Sequence, residues 1–194
     1  DDINIVDYVN YVVHVKRELG VNDVVAIIPD SWDYNKYTMS LIRFRKVVRN
    51  RVGDVAGIKW LIVTHYGNEN AFLRQYIAYY YSLRDLGIDA GFAIPLRKMT
   101  VFHNGKFTYV QCSRKPIICG TIANYVITEI RKVINDAYIH GLGIRKKLLS
   151  LLTKLDSADT ANYRLAVSDK LANGRYMISK GDDACEWFKA WLSW

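Results

Sequence analysis

The chain has 194 residues, of which 51% are hydrophobic, and this length suffices for one domain with a substantial core. No apolar run approaches the length of a membrane-spanning helix, so we expect no membrane partner. The chain starts with two aspartates instead of a methionine or a signal peptide, and we expect residue 1 not to be the start of the gene product. A formal net charge of +8 favours a polyanionic partner without proving one.

The cysteines argue against two common kinds of site. Cys112, Cys119 and Cys185 are odd in number and contain no C-x-x-C pair. The pattern therefore predicts neither a disulfide framework nor a zinc site. A cytoplasmic, reducing setting fits this cysteine usage best.

Hydrophobic spacing predicts alternating helices and strands over the first half of the chain. The predicted elements are, in order, a helix over 5–19, a strand over 24–28, a basic helix from about 37 to 51, a strand over 58–63, a helix over 69–86 and a strand over 88–94. Strands that alternate with helices of this length indicate βαβ units and a parallel sheet.

Residues 99–112 interrupt this alternation. Two runs of strand-forming residues there flank Asn104-Gly105, a dipeptide typical of a type I′ hairpin turn. The later predicted elements are a helix over 120–135 and short strands over 137–140 and 153–157, separated by a basic, helix-like stretch over 145–154. The whole pattern predicts one α/β domain over residues 1–194, with about five barrel-type strands and an inserted hairpin.

Polar residues follow the ends of the predicted strands. These residues are Asp30, His65, Arg97, His140 and Asp156. Ligands of parallel α/β folds collect at the carboxyl ends of the strands. We therefore favour one shared site over scattered caps and loop residues.

The two aspartates also have a structural interpretation. On the residues alone, Asp156 serves equally well as the N-cap of a helix that begins near Thr160, with Asp159 as a solvated neighbour. Asp30 likewise has the residue type and position of an N-cap. The sequence leaves these alternatives open.

The histidines and glycines are similarly ambiguous. His65 and His140 are as compatible with hydrogen-bonded structural histidines as with ligands or acid–base groups. Gly141 and Gly143 either permit a tight turn or expose backbone amides that bind an anion.

Basic residues crowd two predicted helical segments. They are Arg43, Arg45, Lys46, Arg49 and Arg51 in the first segment, and Arg145, Lys146 and Lys147 in the second. A solvated helix face explains them without any partner. A nucleic-acid backbone surface instead predicts an affinity that falls steeply as salt rises.

An ordered series of short motifs resembles the tRNA-guanine transglycosylase superfamily, which includes the queuine and archaeosine enzymes and phage relatives that place 7-deazaguanines in DNA. The matching segments are 27–30 (Ile-Ile-Pro-Asp), 63–67 (Val-Thr-His-Tyr-Gly), 86–96 (Leu-Gly-Ile-Asp-Ala-Gly-Phe-Ala-Ile-Pro-Leu), 139–143 (Ile-His-Gly-Leu-Gly) and 155–158 (Leu-Asp-Ser-Ala). The resemblance runs from about residue 24 to residue 176, in the family's order and with comparable spacings. Its specificity lies in the series, because each motif is short.

The resemblance implies a role for each matched residue. Asp156 is similar to the nucleophilic aspartate, which attacks ribose C1′ and forms a covalent glycosyl ester that an incoming base displaces. The implied base-binding residues are Asp30, His65, Tyr66, Gly67, Leu96 and Arg97, and the implied loop near the sugar or phosphate contains His140, Gly141 and Gly143. The implied reaction is a pentosyl transfer that replaces guanine by a 7-deazaguanine in tRNA or DNA. It requires no metal or other cofactor.

The chain also departs from the family pattern. Ile94-Pro95 stands where the family has a glycine pair, and His65-Tyr66 replaces its customary glutamine. The family's zinc-binding cysteines and the early strands that carry a second active-site aspartate are missing. Because a full barrel has about 250 residues, the resemblance implies a partial or reduced (β/α) TIM-like barrel, the C-terminal two thirds of the family's barrel. A homo- or hetero-oligomer that completes the barrel is one explanation.

Two other functions remain as alternatives. A non-catalytic nucleic-acid-binding subunit or relative of the same fold fits the lost glycines and strands, whereas the retained Asp156 argues against it. A barrel enzyme that acts on a phosphorylated sugar fits a phosphate held by the loop from Gly141 to Gly143. That alternative leaves the basic helices without a role.

Overall fold

A computed structural model of the chain describes residues 3–20, 24–144, 148, 152 and 154–159. Its elements are α1 (Ile5–Leu19), β1 (Val24–Ile27), α2 (Tyr34–Arg49), β2 (Ile58–Val63), α3 (Asn70–Arg84), β3 (Ala90–Pro95), β4 (Lys98–His103), β5 (Lys106–Gln111), α4 (Pro116–Val133), β6 (Ile139–Leu142) and β7 (Ser157–Ala158). The basic stretch over 145–154, including Arg145, Lys146 and Lys147, lies mostly outside the described residues, and so does the helix expected near Thr160.

Five parallel strands form a curled sheet in the order β1-β2-β3-β6-β7. From β1 to β6 each parallel strand lies beside its predecessor, because α2, α3 and α4 return the chain before the next strand begins; the hairpin precedes α4. The predicted α/β fold, a partial TIM-like barrel with parallel strands and an inserted hairpin, is therefore confirmed. The sheet curls as half of such a barrel, with a concave and a convex face.

The helices cover the convex face through large apolar side chains. Phe44 of α2 packs on Trp60 of β2 with ring centroids 4.8 Å apart, and Tyr80 of α3 stacks on Phe92 of β3 at 5.2 Å. Trp60 and Phe92 are fully buried. Successive residues of a strand face opposite sides of the sheet, so the residues beside these two point to the concave face.

The concave face carries polar side chains near the amino ends of the strands. Lys59 Nζ lies 2.7 Å from Asp89 Oδ2 and 5.1 Å from the centre of the Tyr138 ring. Gly91 lies between these groups, and a Cβ there would meet the carbonyl oxygen of Tyr138 at 2.8 Å. Because glycine has no side chain, the backbone of β3 can pack closely against the Tyr138 carbonyl on this face.

The hairpin β4–β5 sits over the carboxyl end of β2. Asn104 and Gly105 have φ values of 49° and 73°, as the predicted type I′ turn requires. The side chain of Asn68, just after β2, donates to the carbonyl of Phe102 at 2.7 Å and accepts from its amide at 3.0 Å. These two bonds and the ring of Phe72, 5.7 Å from that of Phe107, fix the hairpin against the sheet edge.

Several element boundaries differ from the sequence-based expectation. Helix α2 begins at Tyr34 instead of near 37, because Asp33 is its N-cap and accepts a hydrogen bond from the Lys36 amide at 2.9 Å. Helix α4 begins at Pro116 instead of near 120, with the proline in the first turn. Asp30 is therefore not the cap of α2, and its carboxylate is available for another contact.

The prediction of no disulfide is wrong for one pair of cysteines. Cys112 and Cys119 form a disulfide with a Cα–Cα distance of 5.5 Å. Cys112 follows the last residue of β5 and Cys119 lies in the first turn of α4, so a tight turn brings them together. A search for closely spaced C-x-x-C pairs misses such a bridge, which depends on the chain reversal between the two elements. Among the helices that the structure describes, none is long and apolar enough to cross a membrane.

Candidate functional site

A cleft of about 740 Å³ opens at the carboxyl edge of the sheet, between the strand ends and the hairpin. Its lining residues are Asp30, Trp32, His65, Pro95, Arg97, Lys98, Tyr109, Gln111, Leu142 and Gly143. Three of the polar residues predicted from strand ends, Asp30, His65 and Arg97, therefore share one cavity. This is the edge where ligands of parallel α/β folds bind.

Asp30 and His65 form a close polar pair in this cleft. His65 Nε2 lies 2.5 Å from Asp30 Oδ2, and the His65 side chain is only 2% exposed while that of Asp30 is 42% exposed. An ionised carboxylate only accepts hydrogen bonds, so this contact requires the tautomer with a proton on Nε2 when Asp30 is ionised. Trp32 packs on the imidazole with centroids 4.5 Å apart. The buried ring thus orients a carboxylate whose remaining acceptor capacity faces the cavity.

The hairpin contributes a cation and an aromatic ring to the mouth of the cleft. Lys98 Nζ lies 3.9 Å from the centre of the Tyr109 ring and 5.0 Å from that of Trp32, and the two rings meet edge to face at 5.6 Å. Trp32 and Tyr109 are 43% and 51% exposed. Arg97, also exposed, adds a second cation beside Lys98. The mouth therefore combines positive charge with accessible aromatic surface.

Sequence reasoning missed the contribution of the hairpin and of Trp32. Lys98, Tyr109 and Gln111 lie on a two-stranded element that looks like an ordinary exposed insertion along the sequence. The available signal was their position, since the hairpin directly follows a strand end where ligands bind. Trp32 offered a similar signal two residues after Asp30.

Asp159 lies at the carboxyl end of β7, next to the cleft. Its Oδ1 accepts a hydrogen bond from the amide of the cleft residue Gly143 at 2.6 Å and lies 3.5 Å from His140 Nε2. The hydrogen bond from His140 is the main cause that lowers the pKa of the Asp159 carboxyl below its usual range, and the Gly143 amide adds to it. Asp159 is thus both partly exposed and hydrogen-bonded, which goes beyond the alternative in which it is only a solvated neighbour of Asp156.

His140 lies within β6, on the concave face below the cleft. Its Nδ1 is 2.7 Å from the hydroxyl of Ser157, which in turn lies 2.6 Å from the hydroxyl of Tyr138. The imidazole is thus fixed on both sides, by Ser157 and by Asp159. It orients a carboxylate at the cleft edge without itself lining the cavity.

The structure corrects the expected position of Asp156. This residue precedes β7, its amide donates to Ile139 O at 2.9 Å, and its side chain is therefore level with the first residue of β6. Asp156 Oδ2 accepts hydrogen bonds from Arg131 at 2.8 Å and from the Ile139 amide at 2.7 Å. Asp156 therefore sits at the amino edge of the sheet, pointing toward α4, whereas the expected shared site lies at the carboxyl edge.

Tyr66 and Leu96 are not exposed to a ligand in this structure. Both are completely buried. The Tyr66 hydroxyl donates to the carbonyl of Trp32 at 2.9 Å, and burial raises the pKa of Tyr66 to about 12. The expected base-binding contacts of these two residues are thus replaced by core packing beneath the cleft.

Two of the expected site glycines serve close packing. A Cβ at Gly67 would lie 2.9 Å from Val126 Cγ2 of α4, and one at Gly141 would lie 2.8 Å from Leu96 Cδ1. Gly143 differs, since its φ of 67° is in the left-handed region that favours glycine and its amide is bonded to Asp159. The Gly143 amide, which was a candidate for binding a phosphate, thus donates to the Asp159 carboxylate instead.

The basic residues of α2 are only partly at the site. Arg43, Arg45, Lys46 and Arg49 are exposed, whereas the Arg51 guanidinium bonds Asn10 and Asp54. Arg43 lines a second cavity of about 410 Å³ that shares Asp30 with the cleft. Their contact with a nucleic-acid backbone stays a prediction. No group of three or more metal-binding side chains occurs within the described ranges.

Comparison with protein-family models and with curated proteins finds no match. Among solved structures, a point mutant of the O-GlcNAc hydrolase from Thermobaculum terrenum is similar, with a TM-score of 0.47 and 9% sequence identity. The similarity covers 91% of this chain and 46% of that one, so the chain spans about half the length of the hydrolase. A likeness of this degree carries no argument about function.

Proposed function

We propose that the cleft at the carboxyl edge binds a nucleotide of a nucleic acid and that the protein exchanges its base at the glycosidic bond. The resemblance to the tRNA-guanine transglycosylase superfamily motivates the reaction. One observation carries the proposal: a single cavity combines the Asp30–His65 pair, two cations and two accessible aromatic rings. These are the groups that recognise an extruded base and its phosphate.

Each part of the cleft then has a chemical role. Asp30, held by His65, accepts hydrogen bonds from the donor groups of a purine edge. Trp32 and Tyr109 stack on the base, since every base offers a π-face. Arg97 and Lys98 pair with a phosphate, which agrees with the net charge of +8.

Base exchange also requires an ionised carboxylate beside C1′ of the ribose. The carboxylate forms a bond to C1′ while the bond from C1′ to the base breaks, and the departing base takes the bonding electrons. An incoming 7-deazaguanine then displaces the carboxylate and loses a proton, which balances the proton gained by the departed guanine. These steps need no metal or redox cofactor.

Incorporation of labelled guanine or 7-deazaguanine into tRNA and into DNA tests the proposal with the 194-residue chain. We expect incorporation by the wild-type protein and its loss in Asp30→Ala. Asp85→Ala is the matched control, because Asp85 is exposed at the end of α3, away from the cleft, and it should leave the rate unchanged. A wild-type protein that incorporates neither base into either polymer would contradict the proposal.

The second candidate is a nucleic-acid-binding protein without catalysis. The position of Asp156 favours it, because the carboxylate that resembles the family's nucleophile is held by Arg131 at the opposite edge. This candidate predicts binding of tRNA or DNA through the same cleft with no incorporation of base. The third alternative, a phosphorylated-sugar enzyme, is weakened because Gly141 is buried and the Gly143 amide is bonded to Asp159.

A further inference from the structure

We propose that Asp159, and not Asp156, is the carboxylate that attacks C1′ in the base exchange; this inference rests on the proposed function. The observation that carries it is the location of Asp159 at the carboxyl edge, bonded at 2.6 Å to the amide of the cleft residue Gly143. Its side chain is 59% exposed. It is thus beside the cavity and accessible to a ligand.

The backbone fixes Asp159 at this position. Its amide donates to Gly141 O at 3.0 Å, and its carbonyl accepts from the Ile144 amide at 2.9 Å. A strand rises about 3.3 Å per residue, so the three residues from Asp156 to Asp159 move the carboxylate roughly 10 Å toward the cleft. An odd separation also places the two side chains on opposite faces of the sheet.

The other two carboxylates near β7 and the cleft already have other contacts. Asp30 is held by His65 and faces the side of the cleft lined by Trp32, where it suits recognition of the base edge. Asp156 accepts from Arg131 and from the Ile139 amide at the amino edge. Asp159 is the remaining described aspartate bonded to a residue that lines the cleft.

The surroundings of Asp159 suit a carboxylate that both attacks and leaves. The His140 hydrogen bond is the main cause that keeps its pKa low, so it is ionised at neutral pH. In the first step an Asp159 oxygen bonds to C1′ and the electron pair of the glycosidic bond departs with guanine. In the second step the incoming base bonds to C1′ and the carboxylate leaves with the ester electrons. His140 is a positioning residue, fixed from below by Ser157.

Asp159→Asn and Asp156→Asn form a matched pair of variants for base exchange with a tRNA transcript and a DNA duplex. Asparagine has the shape of aspartate but cannot form the glycosyl ester. We expect Asp159→Asn to lower the exchange rate by about 10³-fold or more with polymer binding retained. Asp156→Asn should stay within about tenfold of the wild-type rate, an effect of its altered contact with Arg131.

Mapping the covalent adduct needs no variant and covers the case in which one does not fold. Trypsin cleavage after Lys154 and Arg164 releases residues 155–164, a peptide that contains both aspartates. Mass-spectrometric fragmentation of this peptide from acid-quenched wild-type reactions should place the ribosyl group on Asp159. An adduct on Asp156, or full exchange by Asp159→Asn, overturns the assignment while leaving base exchange intact. A wild-type protein without any exchange overturns the proposed function and this assignment with it.

Discussion

Asp156 and Asp159 are three residues apart, yet they belong to different regions of the molecule. Asp156 lies at the amino edge of the sheet, where Arg131 and the Ile139 amide satisfy its carboxylate. Asp159 lies at the carboxyl edge, where its partners are His140 and the Gly143 amide of the cleft. One short strand therefore separates a structural carboxylate from one that is available for chemistry.

The two edges differ in the same way beyond β7. At the amino edge, charged groups pair with each other, as Lys59 and Asp89 do at 2.7 Å. At the carboxyl edge, Arg97, Lys98 and the Asp30–His65 pair converge on an open cavity. We therefore expect the polar residues at the amino end of this sheet to serve stability and those at the carboxyl end to serve ligand binding, the division found in barrel enzymes.

The largest effect on stability is expected from Arg131→Ala. The Arg131 guanidinium donates to Asp156, to Lys154 O at 3.1 Å and to Asn135 O at 3.1 Å. Its removal leaves a partly buried carboxylate without its cation, and we expect a loss of about 2 kcal/mol in the free energy of unfolding, less than for a fully buried pair. Urea unfolding followed by circular dichroism measures it.

Lys132→Ala is the control for this comparison. The neighbouring Lys132 is exposed and its ammonium group donates to the side chain of Glu129, one turn away on the same helix. Its removal should therefore leave the unfolding midpoint unchanged. Nucleic-acid affinity should be the same in both variants, because neither residue lines the cleft. If Arg131→Ala left stability unchanged but weakened nucleic-acid binding, the amino edge would be a binding surface, contrary to this comparison.

The next largest effect is expected from His65→Ala, at the opposite edge. Loss of the buried ring removes the hydrogen bond that orients Asp30, and we expect affinity for a labelled oligonucleotide to fall roughly tenfold, equivalent to about 1.4 kcal/mol. Fluorescence anisotropy measures the dissociation constant. His65→Gln retains a donor and should recover part of the affinity, whereas equal affinities of all three proteins would exclude the pair from recognition.

A smaller effect is expected on the salt dependence of binding. If Arg97 and Lys98 each neutralise one phosphate, Arg97→Ala and Lys98→Ala should each reduce the slope of log affinity against log salt by about 1. Lys106→Ala at the tip of the hairpin is the matched control, being exposed but outside the lining of the cleft. A slope that changes equally in all three variants would indicate diffuse attraction by net charge.

The smallest effect concerns acid stability. The pKa of Asp159 is lowered in the folded protein by its bond to His140, and the unfolded value is about 3.9. The hydrogen bond between His140 and Asp159 therefore contributes fully to the free energy of unfolding at pH values above the unfolded pKa. This contribution is lost as the pH falls through the lower pKa of the folded protein. Asp159→Asn should remove this part of the acid dependence of unfolding, and Asp156→Asn should not.

His140→Ala gives an independent measurement of the same contact. Without the imidazole, the pKa of Asp159 should rise toward its ordinary value, so the acid limb of the exchange rate should move to higher pH. An unchanged limb would show that the ionisation of Asp159 does not control the rate.

The order of helices and strands follows from local sequence alone. The apolar run 58–63 predicts a strand, because its residue types favour extended backbone. Asn104-Gly105 predicts a turn, because these two residues adopt positive φ readily. The parallel sheet follows from their alternation. Helix starts at Asp33 and Pro116 were misjudged by a turn, because caps compete over neighbouring positions.

Strand ends likewise predicted Asp30, His65 and Arg97 as neighbours, because parallel strands present their carboxyl ends at one edge. What tertiary structure decided was register and face. The pairing of His140 with Ser157 sets Asp156 toward α4 and Asp159 toward the cleft, and a shift of one residue would exchange their faces. The hairpin's place over the cleft and the Cys112–Cys119 bridge were decided in the same way, since both join residues whose proximity arises only when the chain folds back.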